Sequence, residues 1–222
     1  MDKRHRQTKR CLQYLRTKMK RIVILALLFF NTLISFGQKQ HLEPETFFVG
    51  GDLENYYRNI ISLCFDGMSS NPYARFIAIP SFSKEYAFSI EKENQNYFLI
   101  SITLSESYWR AKSKEDVKFE TKKRRINKKF YHKIGYLFQL LAKQTKSYEL
   151  EPYYTDGESF YFLTTDDRGA VKIGKTWSPD KRTQVGKLVK ISHDLYFYGN
   201  GSKVSITEIN SEIDNLIAEL EK

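Results

Sequence analysis

Three groups of residues have the types and spacing that chemistry uses. Gly169-Ala-Val-Lys-Ile-Gly174-Lys175-Thr176 matches G-x-x-x-x-G-K-[ST], the pattern of a phosphate-binding loop. Such a loop follows a buried strand and opens a helix whose N-terminal amides cradle the phosphates. Here Trp177-Ser178-Pro179 follows at once and the stretch itself is strand-like, so the match is read as the return of a β-hairpin. Ser192-His193-Asp194 holds the residue types of a hydrolytic triad. Helix neighbours point about 100° apart and cannot form a triad with one another, so His193 is expected on the surface. The pairs Asp156/Glu158 and Asp166/Asp167 would serve as acid and base only if held about 5–10 Å apart across a cleft. As turn and strand-end carboxylates they need no such role. H-E-x-x-H, G-x-S-x-G and C-x-x-C patterns are absent from the sequence. No catalytic residue, metal site or cofactor is therefore assigned.

What remains is recognition, and it falls on the hairpin spanning 154–181. An aromatic run at 159–165 reaches Asp166-Asp167-Arg168-Gly169 and returns through 170–177. Asp at the start and Gly at the end suit a type I turn closed by a left-handed residue. Pro179, which lacks a backbone donor, stops the returning strand. Val171, Ile173, Lys175 and Trp177 share one face of it. The candidate binding residues are Tyr161, Lys175, Thr176, Trp177 and Ser178. Trp177 is expected beneath a helix at 183–198, against Val185 and Leu188; exposed beside Tyr161 and Lys175 it would instead be a contact residue.

The chain of 222 residues carries a formal net charge of +10. Nine of its 36 basic residues and one of its 26 acidic ones lie in residues 1–37, leaving 27 basic and 25 acidic side chains in residues 38–222. The excess therefore belongs to the leader and is no argument for nucleic acid, for which the rest of the chain shows no interleaved aromatic and basic module. Lys18, Lys20 and Arg21 precede an apolar run at 22–30, and Ser35 and Gly37 occupy the −3 and −1 positions of a cut before Gln38. This reads as a signal peptide, with Met1 or Met19 as its start. The run is short of the roughly 20 apolar residues of a membrane span, although an uncleaved N-terminal anchor is the alternative. Beyond the leader Cys64 is the only thiol, so no internal disulfide is available, and its apolar helical setting predicts an inert side chain.

Residues 38–222 are long enough for one domain with its own core. After an irregular lead-in at 38–49, Asp52 caps a helix to about Phe65 that Gly67 ends. Residues 75–79 form a strand stopped by Pro80. A second hairpin joins 86–91 to 97–104 around Glu93-Asn-Gln-Asn96. The stretch 108–133 is densely basic, with a strand at 117–121 and Asn127 capping a helix whose apolar stripe is Phe130, Ile134, Leu137, Phe138 and Leu141. Its charge reads as a solvated edge strand and helix face, with an anion or envelope-surface contact as the functional alternative. Ser205-Ile-Thr-Glu208 is a capping box for the last helix.

Asp156-Gly157, Phe160-Tyr-Phe162, Gly169 and Thr176-Trp177-Ser178-Pro179, followed by an apolar helix, resemble a pattern of uncharacterised bacterial secreted or periplasmic proteins. The leader ending Ser-Phe-Gly-Gln is similar to theirs, and the layout agrees over residues 71–198. The resemblance implies envelope export and an α+β domain, and brings no activity with it. The expected fold is α+β: an antiparallel sheet of five or six strands with three or four helices mainly on one face. The expected function is a periplasmic or secreted binding module for a protein or an envelope polymer. A hydrolase acting on envelope material through paired carboxylates is the alternative.

Overall fold

The strand Ala74–Pro80 (β2) is apolar at both its odd and its even positions, Arg75 excepted, so it needs a covering layer on each side. In the computed structural model, which describes residues 41–45, 51–147 and 157–222 (for 51–54 the backbone only), all seven of its residues are buried. The leader with its cleavage site, the cap at Asp52 and the carboxylate of Asp156 lie outside the described residues and side chains. Residues 39–222 cluster as one unit.

Four helices and seven strands are described. In chain order they are β1 (Glu43–Pro44), α1 (Gly51–Leu63), β2, β3 (Tyr86–Glu93), β4 (Asn96–Leu104), β5 (Phe119–Ile126) and α2 (Lys128–Lys143). β6 (Glu158–Thr165), β7 (Val171–Trp177), α3 (Gln184–Gly199) and α4 (Ile206–Leu220) follow. The strands form one antiparallel sheet in the order β1-β7-β6-β2-β3-β4-β5. The fold is α+β as expected, with seven strands in place of five or six. The extra strand is β1, two residues from the lead-in, too short to show a period-2 pattern. β5 also differs from the strand expected at 117–121, since it begins at Phe119 and continues through Lys122–Arg125, where charge on both faces hides the alternation.

The turns and caps follow their side chains. Between β6 and β7, Asp166 Oδ1 accepts from the amides of Arg168 (3.0 Å) and Ala170 (2.9 Å), and Gly169 sits at φ +80°. Residues 169–176 are thus a turn and a strand, and the phosphate-loop reading of that stretch is excluded. Asn127, Thr183 and Ser205 each cap a helix, accepting from the amides of Phe130, Gly186 and Glu208.

Period 2 in the strands divides the core in two. Phe76, Phe88, Ile90, Leu99, Phe160 and Phe162 face α2, α3 and α4. Ile77, Ile79, Ile102, Tyr161 and Leu163 face the other way, against Tyr56, Ile60 and Cys64 of the α1 segment. The helices therefore lie mainly on one face, three of the four, with α1 closing the opposite one. Burial pushes the Cys64 thiol up to about 12, the inert state expected of it.

Arg75 is fully buried on the α1 side. It donates from Nε to Ser89 Oγ (3.2 Å) and from Nη2 to Glu91 Oε1 (3.1 Å) and the Ser69 carbonyl (2.8 Å). The Phe65 ring lies 4.2 Å from its Cζ, and Ser89 Oγ donates to Glu91 Oε1 at 2.5 Å. Removing one partner of such a pair strands the other, which costs about 3–5 kcal/mol, while replacing both with apolar residues is often neutral. Arg75→Ala is expected to lower the urea unfolding free energy by about that amount. Arg75→Met with Glu91→Leu should recover most of the loss, and equal losses in both variants would contradict this account.

Candidate functional site

The chain has a number of large apolar side chains that it does not bury. Among the described residues the most exposed are Phe82 at 66% and Trp109 at 52%. Both belong to connections at one end of the sheet, Phe82 between β2 and β3 and Trp109 between β4 and β5. Their positions follow from the groups beneath them. Glu85, fully buried, accepts from the Tyr56 hydroxyl (2.6 Å) and from the Tyr108 amide (2.9 Å), which fixes the β4–β5 connection against α1. A helical turn follows, in which the amides of Arg110 and Ala111 both donate to the Ser107 carbonyl. Lys114 Nζ then donates to the carbonyls of Tyr108, Trp109 and Ala111 (2.5, 2.8 and 2.9 Å). Trp109 projects from this braced turn, its ring centroid 5.1 Å from that of Tyr56 in an edge-on arrangement. The Arg110 guanidinium reaches across to Phe82, 5.6 Å from its ring centroid.

Residues of the hairpin reach the same end. Ser81, next to Phe82, donates to the Gly157 carbonyl from its amide (3.0 Å) and its hydroxyl (2.7 Å). Gly157 lies against the Trp177 indole, and a Cβ there would overlap that ring. Ser178, at φ +32°, donates its amide to the Glu158 carbonyl and accepts the Glu158 amide on Oγ. Trp177 and Ser178 are thus joined through Gly157 to the segment that carries Phe82.

The five residues singled out in the sequence are not brought together as a set. Ser159 pairs with Trp177 and Tyr161 with Lys175, which puts these side chains on the α1 face. Trp177 is half-buried there, so the expectation that it packs beneath the 183–198 helix is corrected: Val185 and Leu188 of that helix cover the opposite face. Tyr161 is buried, its ring 6.1 Å from Tyr57, and burial pushes its hydroxyl well above the usual tyrosine range. Lys175 Nζ lies 3.7 Å from Glu45 Oε2. Thr176, paired with Phe160, is buried on the α3 side with no hydrogen-bond partner for Oγ1. Phe82 and Trp109 escaped the sequence reading. For Phe82 the available signal was an aromatic residue flanked by serines and a lysine in a short connection, where no periodic element could bury it; Trp109, between Tyr108 and Arg110 in the longer connection 105–118, offered none of that kind.

A second polar cluster lies on the α3 face. His193 is not a surface residue, which corrects the sequence expectation. Its Nε2 is 2.9 Å from the Tyr86 hydroxyl, and its ring lies within 6 Å of those of Phe76, Tyr86 and Phe160. Burial holds its pKa below the usual histidine value, opposed by Asp194, with Lys181 adding to the depression. Burial also raises the Glu158 carboxyl above its usual range. A comparison of the chain with protein-family models, curated proteins and solved structures finds no match.

Two outcomes follow. Trp177→Ala removes half-buried surface and is expected to cost about 1–2 kcal/mol in thermal or urea unfolding, less than the roughly 3–5 kcal/mol of a fully enclosed aromatic. For His193, a folded pKa below the unfolded one means that the unfolded chain binds more protons. Its contribution is full above the ordinary histidine value of about 6.5 and is lost as pH falls through the depressed folded value. His193→Gln should remove that part of the pH dependence of urea unfolding, and an unchanged slope below about pH 6.5 would contradict the assignment.

Proposed function

We propose that this chain is an exported binding protein of the periplasm or extracellular space, and that it recognises a protein or an envelope polymer through the aromatic end of its sheet. The observation that carries the reading is the pair Phe82 and Trp109, both more than half exposed, with Arg110, the chain neighbour of Trp109, over the Phe82 ring. Aromatic and arginine side chains dominate binding hot spots. The turn that presents Trp109 is braced by Glu85 and Lys114, so little ordering entropy is left to be lost on binding. Trp177 and Ser178 extend the same end. Export is supported by the leader of residues 1–37 and by the resemblance in the hairpin. Among the described residues no helix is long and apolar enough to cross a membrane.

The raised pKa of the half-buried Glu158 is the observation on the side of a hydrolase. A glycoside-type mechanism would require a second carboxylate facing it at about 5–10 Å. Its nearest acidic neighbour in sequence, Asp156, lies outside the described residues.

N-terminal sequencing of the protein from the envelope fraction should begin at Gln38. A photo-crosslinking residue at position 82 or 109 should give a defined adduct with a protein or with cell-wall polymer. The same residue at the exposed Lys203, remote in the chain, should not. Full-length chain confined to the cytosol would overturn export, and identical adducts from positions 82, 109 and 203 would overturn the site.

A further inference from the structure

The two edges of the sheet are treated differently. At one, β7 is paired by β1, a two-residue strand ending in Pro44, and the following Glu45 amide donates to Ile173. At the other, β5 pairs along all eight of its residues with β4 in unbroken register, and among the described residues no strand lies beyond it. β5 has no bulge, no proline and no glycine, the devices that ordinarily spoil an edge. What guards it is charge alone: Lys122, Lys123, Arg124 and Arg125 in succession. Charge of one sign repels a second copy of the same strand, but it does so by making the edge selective, not unusable.

The cations are disposed for an incoming strand on both faces. Lys123 and Arg125 lie on the α1 face, opposite Ile100 and Phe98, and Lys122 and Arg124 on the other, opposite Ser101 and Leu99. Three are partly engaged within the fold. Lys123 pairs with Glu93 and covers the Phe98 ring, and Arg124 stacks 3.6 Å from the Tyr198 ring centroid while donating to the Tyr198 carbonyl. Lys122 has the exposed Glu120 at 3.2 Å. At its C-terminal end β5 runs into an open hollow of about 720 Å³ lined by Lys92, Asn94, Asn96, Arg125 and Lys128. The helix that starts there has no acidic residue in its first turn and opens with Lys128 and Lys129. Cations at a helix N-terminus oppose the backbone dipole. The chain accepts that local penalty where a bound carboxylate would relieve it.

We propose that β5 is a docking edge for an extended acidic segment of a partner polypeptide. The segment adds as an eighth strand, with main-chain hydrogen bonds to the outer edge of β5 and carboxylates set against Lys122, Arg125 and Lys128. Main-chain pairing supplies affinity in this mode, and the side chains along the strand supply selection. The proposal uses a different surface from the aromatic end and stands or falls separately from it.

The probe is a labelled Glu-Val peptide, two Glu-Glu-Val-Val repeats that put carboxylates on both faces of an extended strand, blocked at both ends and titrated into the purified full-length chain by fluorescence anisotropy. Binding in the micromolar range is expected, weakening as salt is raised. The Lys-Val counterpart should not bind. The double variant Lys122→Glu/Arg125→Glu, both exposed positions, should weaken binding at least about tenfold, equivalent to 1.4 kcal/mol or more. Two further peptides, N-methylated on alternate amides in complementary sets, separate pairing from plain attraction. One set, facing β5, should abolish binding and the other should leave it nearly unchanged. Equal binding by both methylated peptides would overturn strand addition. Equal binding by the Glu-Val and Lys-Val peptides, or none by either, would overturn the docking edge. Crosslinking from positions 82 and 109 is indifferent to each of these results.

Discussion

The structure depends on the burial of β2 from both sides. A strand hidden along its whole length cannot sit in a two-layer sandwich, so the sheet must carry helices on each face. On one face Phe76 gathers the rings of Phe88, Phe160 and Phe162, at 5.7, 5.8 and 5.3 Å between centroids, and α2, α3 and α4 close over them. On the other, Ile77 and Ile79 would face water without α1. The uneven division of the helices follows from the sheet. The aromatic face is broad and needs three helices, while the aliphatic face is narrower and is shared between one helix and the β4–β5 connection.

That sharing explains the polar groups found under α1. Arg75 and Glu85 both take partners from more than one segment, Arg75 through Nε and Nη2 with Nη1 left without a hydrogen-bond partner. Glu85 joins the Tyr56 side chain of α1 to the backbone at Tyr108. A buried carboxylate with both oxygens engaged is costly to disturb, so the connection cannot roll inward to bury Trp109. Burying that indole would gain about 2–3 kcal/mol of hydrophobic free energy. The exposure of Trp109 is thus imposed by the core beneath it.

Much of this was legible in the residues themselves. Asn127 and Ser205 announced their helices because capping chemistry is local, and Asp166 with Gly169 announced the β6–β7 turn for the same reason. β1 was not legible, since two residues carry no period and their pairing with β7 is decided by tertiary contact. β5 was placed short because its alternation is masked by lysine and arginine on both faces. Trp177 was correctly placed at the strand end but assigned to the wrong face. Its apolar neighbours in sequence, Val185 and Leu188, follow a turn that carries the chain to the opposite side of the sheet. For His193, only the tertiary pocket of three rings shows that this edge of the α3 stripe points inward.

Three of the residue types that first suggested chemistry share one fate. The lysine of the apparent phosphate loop sits in a strand, near Glu45. The Cys64 thiol is enclosed and far from its reactive form. His193 is hydrogen-bonded to Tyr86 among aromatic rings. A general acid, base or nucleophile must keep one active atom open to an incoming substrate at the right geometry; the Cys64 thiol is enclosed and His193 Nε2 is engaged by Tyr86, whereas Glu158 is half-buried with its carboxyl raised above the usual range. What the fold leaves outward is of another kind: two aromatic rings on a braced loop end and a run of cations along an unspoiled strand. Contact area, charge and main-chain pairing at such groups are what the proposed binding would use.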